Sequence, residues 1–410
     1  MEVVSTHCCG LDLHKRSLTA CLITPGPDGQ VRKEIRTFGT MTADLLALAD
    51  WLGAAGCTQV AMESTGVYWK PVWNLLEDQF TLLLVNAQHS KAVPGRKSDV
   101  RDCEWLADLL RHGLVRGSFV PERALRELRE LTRYRTSLVR ERTAEVNRLQ
   151  KTLEGANIKL AAVATDLQGV SARAMLAQLV AGETDPARLA DLATGKLRTK
   201  LAELERALEG RFGAHQQFLV ARHLAHIDFL DAQIDDLSDE ITERLRPFEE
   251  EIVLLDTIPG VGRWTAEILL AEIGPDMTRF PTSRQLASWA AMCPGSHESG
   301  GKRSSGKTRK GSPWLRSALV EAAHAVGRQR DTYLANRYRR LAARRGKKKA
   351  AVAIGHDILV IAYEILTTHQ PYRDLGPFAL LDRTRDAEER RLIRRLEQLG
   401  NTVTIVRQLA

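Results

Sequence analysis

The sequence predicts an α/β first domain, a long helical middle and a mainly α-helical last region. Three observations carry this. Short apolar and alternating runs separated by turn residues fill the first 120 residues. Helical periodicity then holds almost without interruption from about 121 to 250. After that, apolar helical stretches alternate with Gly-rich turns.

The elements follow in order. CCGLDLH and SLTACLIT read as two strands joined by a polar turn, and VRKEIRTF alternates as a third. MTADLLALADWLGAAG is an amphipathic helix ending at Gly56, TQVAMES a short strand, VYWKPVWNLLEDQ a helix and FTLLLVN a buried strand. DVRDCEWLADLLRHG is a helix closed by Gly113. In the middle region, Leu128, Leu131, Leu138, Val146, Leu149 and Leu153 form one drifting stripe. Ile227, Leu230, Ile234, Leu237 and Ile241 recur at spacings of three and four, as in a coiled-coil seam. These two long helices are expected to pair, either within one chain or with a second subunit. The domain boundaries expected are 1–120, 121–250, 251–375 and a peripheral tail, 376–410.

With 410 residues and 44% hydrophobic content, the chain is long enough for several domains and a sizeable core. The formal charge of +8 favours a polyanionic partner and says nothing about fold. The six cysteines show no ligand-like spacing and read as buried small hydrophobes in a reducing compartment. The N-terminus lacks a signal peptide's pattern, and no apolar stretch of about 20 residues is evident, so a cytoplasmic protein without a membrane partner is expected.

Four acids in the first region stand out. Asp12 lies at the end of an apolar strand, where a carboxylate is costly unless something positive meets it. Glu63 ends the fourth strand. Asp99 and Asp102 are three residues apart, hence on one face of their helix. If the strands of Asp12 and Glu63 are neighbours, that helix can bring its acids to the same place. Four clustered carboxylates repel one another, and hard divalent cations resolve that repulsion. Taken singly, an acid is more often a cap or a surface charge, as Asp99 could be at its helix start.

The last regions hold the cations. IPGVG, between two helical stretches, resembles a helix-hairpin-helix, with Gly260 and Gly262 exposing backbone N–H groups to a nucleic-acid backbone. Residues 294–316 read PGSHESGGKRSSGKTRKGSPWLR: five serines, five glycines, six Lys/Arg and one acid. Lys302, Arg303, Lys307, Arg309, Lys310 and Arg316 make a phosphate surface. On residue types alone this is a binding loop between helices ending near Cys293 and starting near Pro313, because a serine needs an activating partner to attack. Further on, Arg344, Arg345, Lys347 and Lys348 belong to a run of eight cations without an acid.

GLDLHK, ESTGVYW and VNAQHSKAVPGRKSDVRDCEWLADLL resemble the DEDD, RuvC-like domain of the IS-one-ten family of insertion-sequence transposases. Piv-type DNA invertases share the pattern. LASWAAMCP through SGGK to KGSPWLRSALVEAA resembles the family's C-terminal transposase domain. The resemblance spans about residues 7–374. It implies an RNase H-like fold, with Asp12, Glu63, Asp99 and Asp102 as a tetrad holding Mg2+ or Mn2+. It also implies a serine nucleophile, which falls on Ser299, with Ser296, Ser304 and Ser305 as the other alignments. A covalent DNA–phosphoserine link would follow, guided by a noncoding RNA that pairs with donor and target DNA. A homo-oligomer, a dimer or tetramer joined through the helical region, is implied too. The alternative is a RuvC-like nuclease or junction resolvase whose serine loop only binds. The stretch after about 375 and the helical region look longer than in compact members of the family.

Overall fold

The computed structural model describes residues 3–26, 30–85, 99–295, 298–299, 302–303, 307–377, 379 and 385–404. They form two compact units, Met1–Arg123 and Ala124–Ala410.

The first unit is built on a five-stranded mixed sheet of order β3-β2-β1-β4-β5. Strands β1 (Cys8–Leu13), β2 (Ser17–Pro25) and β3 (Val31–Gly39) form an antiparallel meander. Strands β4 (Gln59–Glu63) and β5 (Thr81–Val85) run parallel to β1. Helix α1 (Thr42–Ala54) leads into β4, and α2 (Trp69–Leu76) links β4 to β5. Gly56, beyond α1, has φ +68°, a conformation a side chain disfavours, and so ends the helix cleanly. Helix α3 (Asp99–Arg111) completes the unit.

Alternation along the strands sorts side chains to two faces. Cys9, Leu11, Leu13, Val60 and Met62 pack with Leu45, Leu48 and Leu52 of α1 and Val72 and Leu76 of α2. Cys8, Cys21, Ile23, Ala61 and Val85 face Cys103, Leu106, Ala107 and Leu110 of α3. Helices thus cover both faces, which explains the nearly continuous burial of β1 and β2. The edge strand β3 is largely exposed and carries Arg32, Lys33, Glu34 and Arg36, charges that discourage edge-to-edge pairing.

The second unit begins with α4 (Arg123–Gly155). Four short helices follow: α5 (Leu160–Val163), α6 (Val170–Ala181), α7 (Pro186–Asp191) and α8 (Leu201–Leu208). The chain returns along α9 (Ala214–Leu245). Pairs Glu127–Arg244, Arg142–Asp231 and Glu145–His223 match ascending numbers on α4 to descending ones on α9, so the two long helices lie antiparallel within one chain. Their seam is filled internally: Ile227, Leu230 and Ile241 are buried. The short helices cap one end, where Leu149 and Leu153 of α4 and Val220 and Leu224 of α9 meet Met175, Leu176, Leu189 and Leu204.

Next come α10 (Glu249–Asp256), α11 (Arg263–Ile273), α12 (Ser283–Trp289), a short hairpin β6 (Glu298–Ser299) and β7 (Lys302–Arg303), then α13 (Pro313–Arg328), α14 (Tyr333–Arg345), α15 (Lys347–Thr368) and α16 (Arg385–Gln398). Helix α11 is central, with every residue from Ala266 to Ile273 buried. Helix α15 is long and apolar enough to cross a bilayer by composition alone, contrary to expectation. It instead buries Ile354, Ile358, Leu359 and Ala362 as a core helix.

Candidate catalytic and nucleic-acid-binding sites

The carboxylates are placed by strand register and one glycine. Strands β1 and β4 pair in parallel with Leu11 opposite Met62, so Asp12 and Glu63 follow at the same level, at the C-terminal ends of neighbouring strands. Both share strand parity with residues that meet α3: Asp12 with Cys8 and Gly10, Glu63 with Ala61.

Helix α3 lies unusually close to this face. A Cβ on Gly10 would come within 2.3 Å of the Cys103 carbonyl oxygen and 2.6 Å of the Ala107 nitrogen. Only glycine lets the helix backbone rest on the strand. Cys103 is therefore held above Gly10, with Asp102 beside it and Asp99 one turn earlier, at the acidic start of the helix. Burial pushes the Cys103 thiol up to about 11, and the nearby Asp12 carboxylate adds to the rise. Burial likewise pushes Cys8 to about 11 and Cys21 and Cys57 to about 12, so these thiols are inert packing groups.

The Asp12 side chain is mostly buried and meets the imidazole of His14 at 3.2 Å. Glu63 accepts a long hydrogen bond, 3.5 Å, from the Thr65 hydroxyl. Asp102 is exposed; the side chain of Asp99 lies outside the described residues. Among the described residues, no three carboxylate, imidazole or thiol groups cluster tightly enough to hold one metal ion. The donor chemistry still fits a hard cation. All the candidates offer oxygen, and Mg2+ commonly takes one or two carboxylates directly and keeps several waters.

The serine-rich stretch is a hairpin in place of the open loop expected. Pro294 bridges Thr308, the Gly295 amide donates to the Lys307 carbonyl at 2.9 Å, and Ser299 pairs with Lys302. The side chains of Ser299, Lys302 and Arg303 lie outside the described residues, as do Ser296, Ser304 and Ser305 entirely. The preceding helix stops at Trp289, earlier than Cys293, because Ala291 takes φ +53°.

Two of the predicted phosphate ligands are engaged in holding this hairpin. Arg309 donates to the Ser288 carbonyl at 3.0 Å and to its hydroxyl at 2.6 Å, and Arg316 donates to the Thr308 hydroxyl at 2.7 Å. Lys307 and Lys310 are exposed. So are Arg344, Arg345, Lys347 and Lys348, around a turn made by Gly346 at φ +83°. From the same basic run, Arg337 is instead paired with Asp357 at 2.5 Å.

Gly260 has a packing reason as well: at φ +82°, its missing Cβ would sit 2.5 Å from the Ala322 carbonyl oxygen, so the turn admits α13 closely. Gly262 is exposed and leads into α11.

Sequence reasoning missed a buried ionic seam between α4 and α11. Arg135 is 1% exposed, pairs with Glu267 at 2.7 Å and stacks 3.6 Å over Trp264. Arg133 grips Glu272 with two bonds of 2.7 and 2.9 Å. Arg129 donates to the Ala271 and Glu272 carbonyls, satisfying the end of α11. A signal was present: RWTAEILLAEI is apolar on nearly every side, so its two acids have no polar face to occupy.

Comparison with known proteins accords with this layout. Residues 9–158 match a transposase family of the DEDD, IS110 type, and residues 253–339 match the transposase IS116/IS110/IS902 family. The chain is 28% identical to a "Probable family 20 transposase" of Pseudomonas aeruginosa over 323 residues, 77% of this chain and 85% of that protein. It is 26% identical to the transposase for insertion sequence element IS1111A of Coxiella burnetii, over 71% of this chain and 72% of that one. It is 34% identical to the pilin gene-inverting protein of Moraxella bovis over 122 residues, 29% of this chain and 38% of that protein. An acid-bearing domain followed by a serine-hairpin domain, each matched in its own right, places the chain in the IS110 family of transposases.

Proposed function

We propose that this transposase cuts and rejoins DNA with an RNase H-like domain carrying Asp12, Glu63, Asp99 and Asp102 and with Ser299 as nucleophile. The observation that carries the reading is the seating of α3 on Gly10, two residues before Asp12 on a strand whose parallel neighbour ends at Glu63. A structural sheet gains nothing from acids at two neighbouring strand ends, whereas phosphodiester chemistry can use them. When bound by these carboxylates, Mg2+ or Mn2+ would supply charge neutralisation at phosphate oxygens.

Everything else falls to the chain. The Ser299 Oγ attacks phosphorus; an O–P bond to serine forms, a P–O bond to deoxyribose breaks, the serine proton is lost and the released deoxyribose oxygen gains one. Attack by a deoxyribose hydroxyl on the phosphoserine reverses the step and rejoins the strand. Lys302, Arg303, Lys307 and Lys310 hold phosphates beside it, and Arg309 and Arg316 fix the hairpin's base. The exposed cations at the α14–α15 turn and the start of α11 at Gly262 extend the backbone-binding surface. With so much phosphate chemistry, sequence choice is delegated to a noncoding guide RNA pairing with donor and target DNA. Dimers or tetramers would use the outer face of α9, which exposes Phe218 and Phe229, since its inner seam is filled.

The test is capture of a covalent adduct. The protein is expressed with its native flanking DNA, denatured, and washed stringently. DNA should stay attached to wild type and be absent from Ser299→Ala and Asp12→Ala. Free cut DNA without an adduct, undiminished in Ser299→Ala, would replace this reading with a hydrolytic nuclease.

A further inference from the structure

Glu272 stands out among the buried charges because it reaches beyond the helix seam. Its carboxylate is 1% exposed and accepts both bonds from Arg133. It also accepts a hydrogen bond of 3.1 Å from the Ser312 hydroxyl. Ser312 is the N-cap of α13, its oxygen accepting from the Leu315 amide at 3.3 Å. The hydroxyl thus donates in one direction and accepts in the other, using both of its capacities.

Ser312 is also where the hairpin's returning leg ends. That leg, Lys307–Gly311, is fixed along its length. The Lys307 carbonyl takes the Gly295 amide, and Thr308 takes Arg316. Arg309 holds Ser288, and a Cβ on Gly311 would stand 2.4 Å from the Ala290 carbonyl oxygen. One end of the leg is therefore β-paired and the other is tied through Ser312 to a buried anion, itself held by the long helix α4. Burying a carboxylate for stability alone is poor value, since apolar packing serves as well. A buried anion with directional bonds to two elements serves to fix their relative placement.

We propose that Glu272 is a positioning residue for the transfer reaction: gripped by Arg133 and bonded to Ser312, it sets the returning leg and with it the register of the strand pair that carries Ser299. This rests on the assignment of Ser299 as nucleophile. Misplacing a nucleophile by about 1 Å is enough to cost about a hundredfold in rate.

The experiment leaves Glu272 intact, because removing it would strand Arg133, and changes its partner. Asp and Asn both cap helices as well as serine does. Asn keeps a donor for Glu272, whereas Asp replaces it with a second carboxylate. Ser312→Asp and Ser312→Asn are compared in the full chain for adduct formation at saturating DNA, DNA affinity, Tm and hydrogen exchange of the Gly295 amide. The expected result is adduct formation slowed about tenfold or more in Ser312→Asp and within about threefold of wild type in Ser312→Asn, at unchanged DNA affinity. Exchange at Gly295 should quicken in the Asp variant only. Equal rates in wild type and Ser312→Asp would overturn the proposal, as would equal losses in both variants. If wild type forms no adduct, the nucleophile assignment fails and exchange alone decides: quickening confined to Ser312→Asp upholds Glu272 as the anchor of the leg, and no difference between the variants refutes it.

Discussion

At the scale of single residues, Gly10 does more for the candidate catalytic site than any charged group near it. Alanine there would drive a methyl into two backbone atoms of α3. Backbone cannot swing aside as a side chain can, so the helix start must lift. Overpacking of this kind costs about 1–3 kcal/mol. The expected outcome for Gly10→Ala is a folded protein with a lower Tm, DNA binding retained, and strand cleavage reduced about a hundredfold or more by misplacement of the acids. Cleavage at wild-type rate in a Gly10→Ala protein would show that the seating of α3 does not govern the chemistry. The positions of Asp12, Glu63, Asp99 and Asp102 on their elements were legible in the sequence, because strand ends and helix starts are marked by local patterns. The role of Gly10 was not: a glycine in a strand says that something approaches closely, and nothing local says what. Gly260 shows the same limit from the other side, since its turn was readable and its neighbour α13 was not.

Between elements, the α4–α11 seam decides how the helical region and the hairpin region become one unit. Removing one member of a buried ion pair leaves an uncompensated charge and costs about 3–5 kcal/mol, whereas replacing both can be close to neutral. Glu267→Leu should therefore unfold the second unit at markedly lower denaturant, and Arg135→Met added to it should restore most of the loss. Urea midpoints of the two variants and wild type check this; a double variant no better than the single would mean that Arg135 is held by Trp264 and packing more than by charge. The α4–α9 pair has its own ionic centre. Burial alone would raise the Glu145 carboxyl, but hydrogen bonds from His223 and Arg148 outweigh it and hold the group below its ordinary 4.5. A carboxylate depressed in the folded state binds fewer protons there than when unfolded. Its stabilisation is thus present above pH 4.5 and lost as the pH falls through the lower folded value. Glu145→Gln should lower stability at neutral pH and flatten the acid limb of a stability–pH curve. An unchanged acid limb would reject this account. The long helices themselves were readable from their spacing of apolar residues. Their pairing within one chain was not, because period reveals a seam and leaves its partner open. The burial of Arg135 was hidden for a related reason: nothing local in RELRELTRYRTSLVRERT distinguishes it from its exposed neighbours, and Glu267 of α11 explains why it lies inside.

For the whole molecule, the sequence states a charge of +8 and the structure divides that charge by use. Arg135, Arg142 and Arg337 are spent on carboxylates, and Arg309 and Arg316 on hydroxyls. Arg344, Arg345, Lys347 and Lys348 stand exposed where α14 turns into α15. The three lysines beginning at Lys347 occupy the first turn of a helix, the end where cations are disfavoured by the backbone dipole. An anion relieves that conflict, and a nucleic-acid backbone supplies anions in series. Each phosphate neutralised releases counterions, so the logarithm of the binding constant falls with the logarithm of salt with a slope of about 0.9 per contact on duplex DNA. Changing the four residues to alanine takes the net charge from +8 to +4, four charges fewer. If all four lie on phosphates, the slope should shrink by about 3–4. Changing Arg337, which is committed to Asp357, should shift stability and leave the slope alone. Binding titrations across a series of salt concentrations separate the two, and they do so without any knowledge of the DNA site. A slope unchanged in the fourfold variant would mean that the nucleic acid lies along other surfaces, with the hairpin cations Lys302, Arg303, Lys307 and Lys310 the first to be changed next.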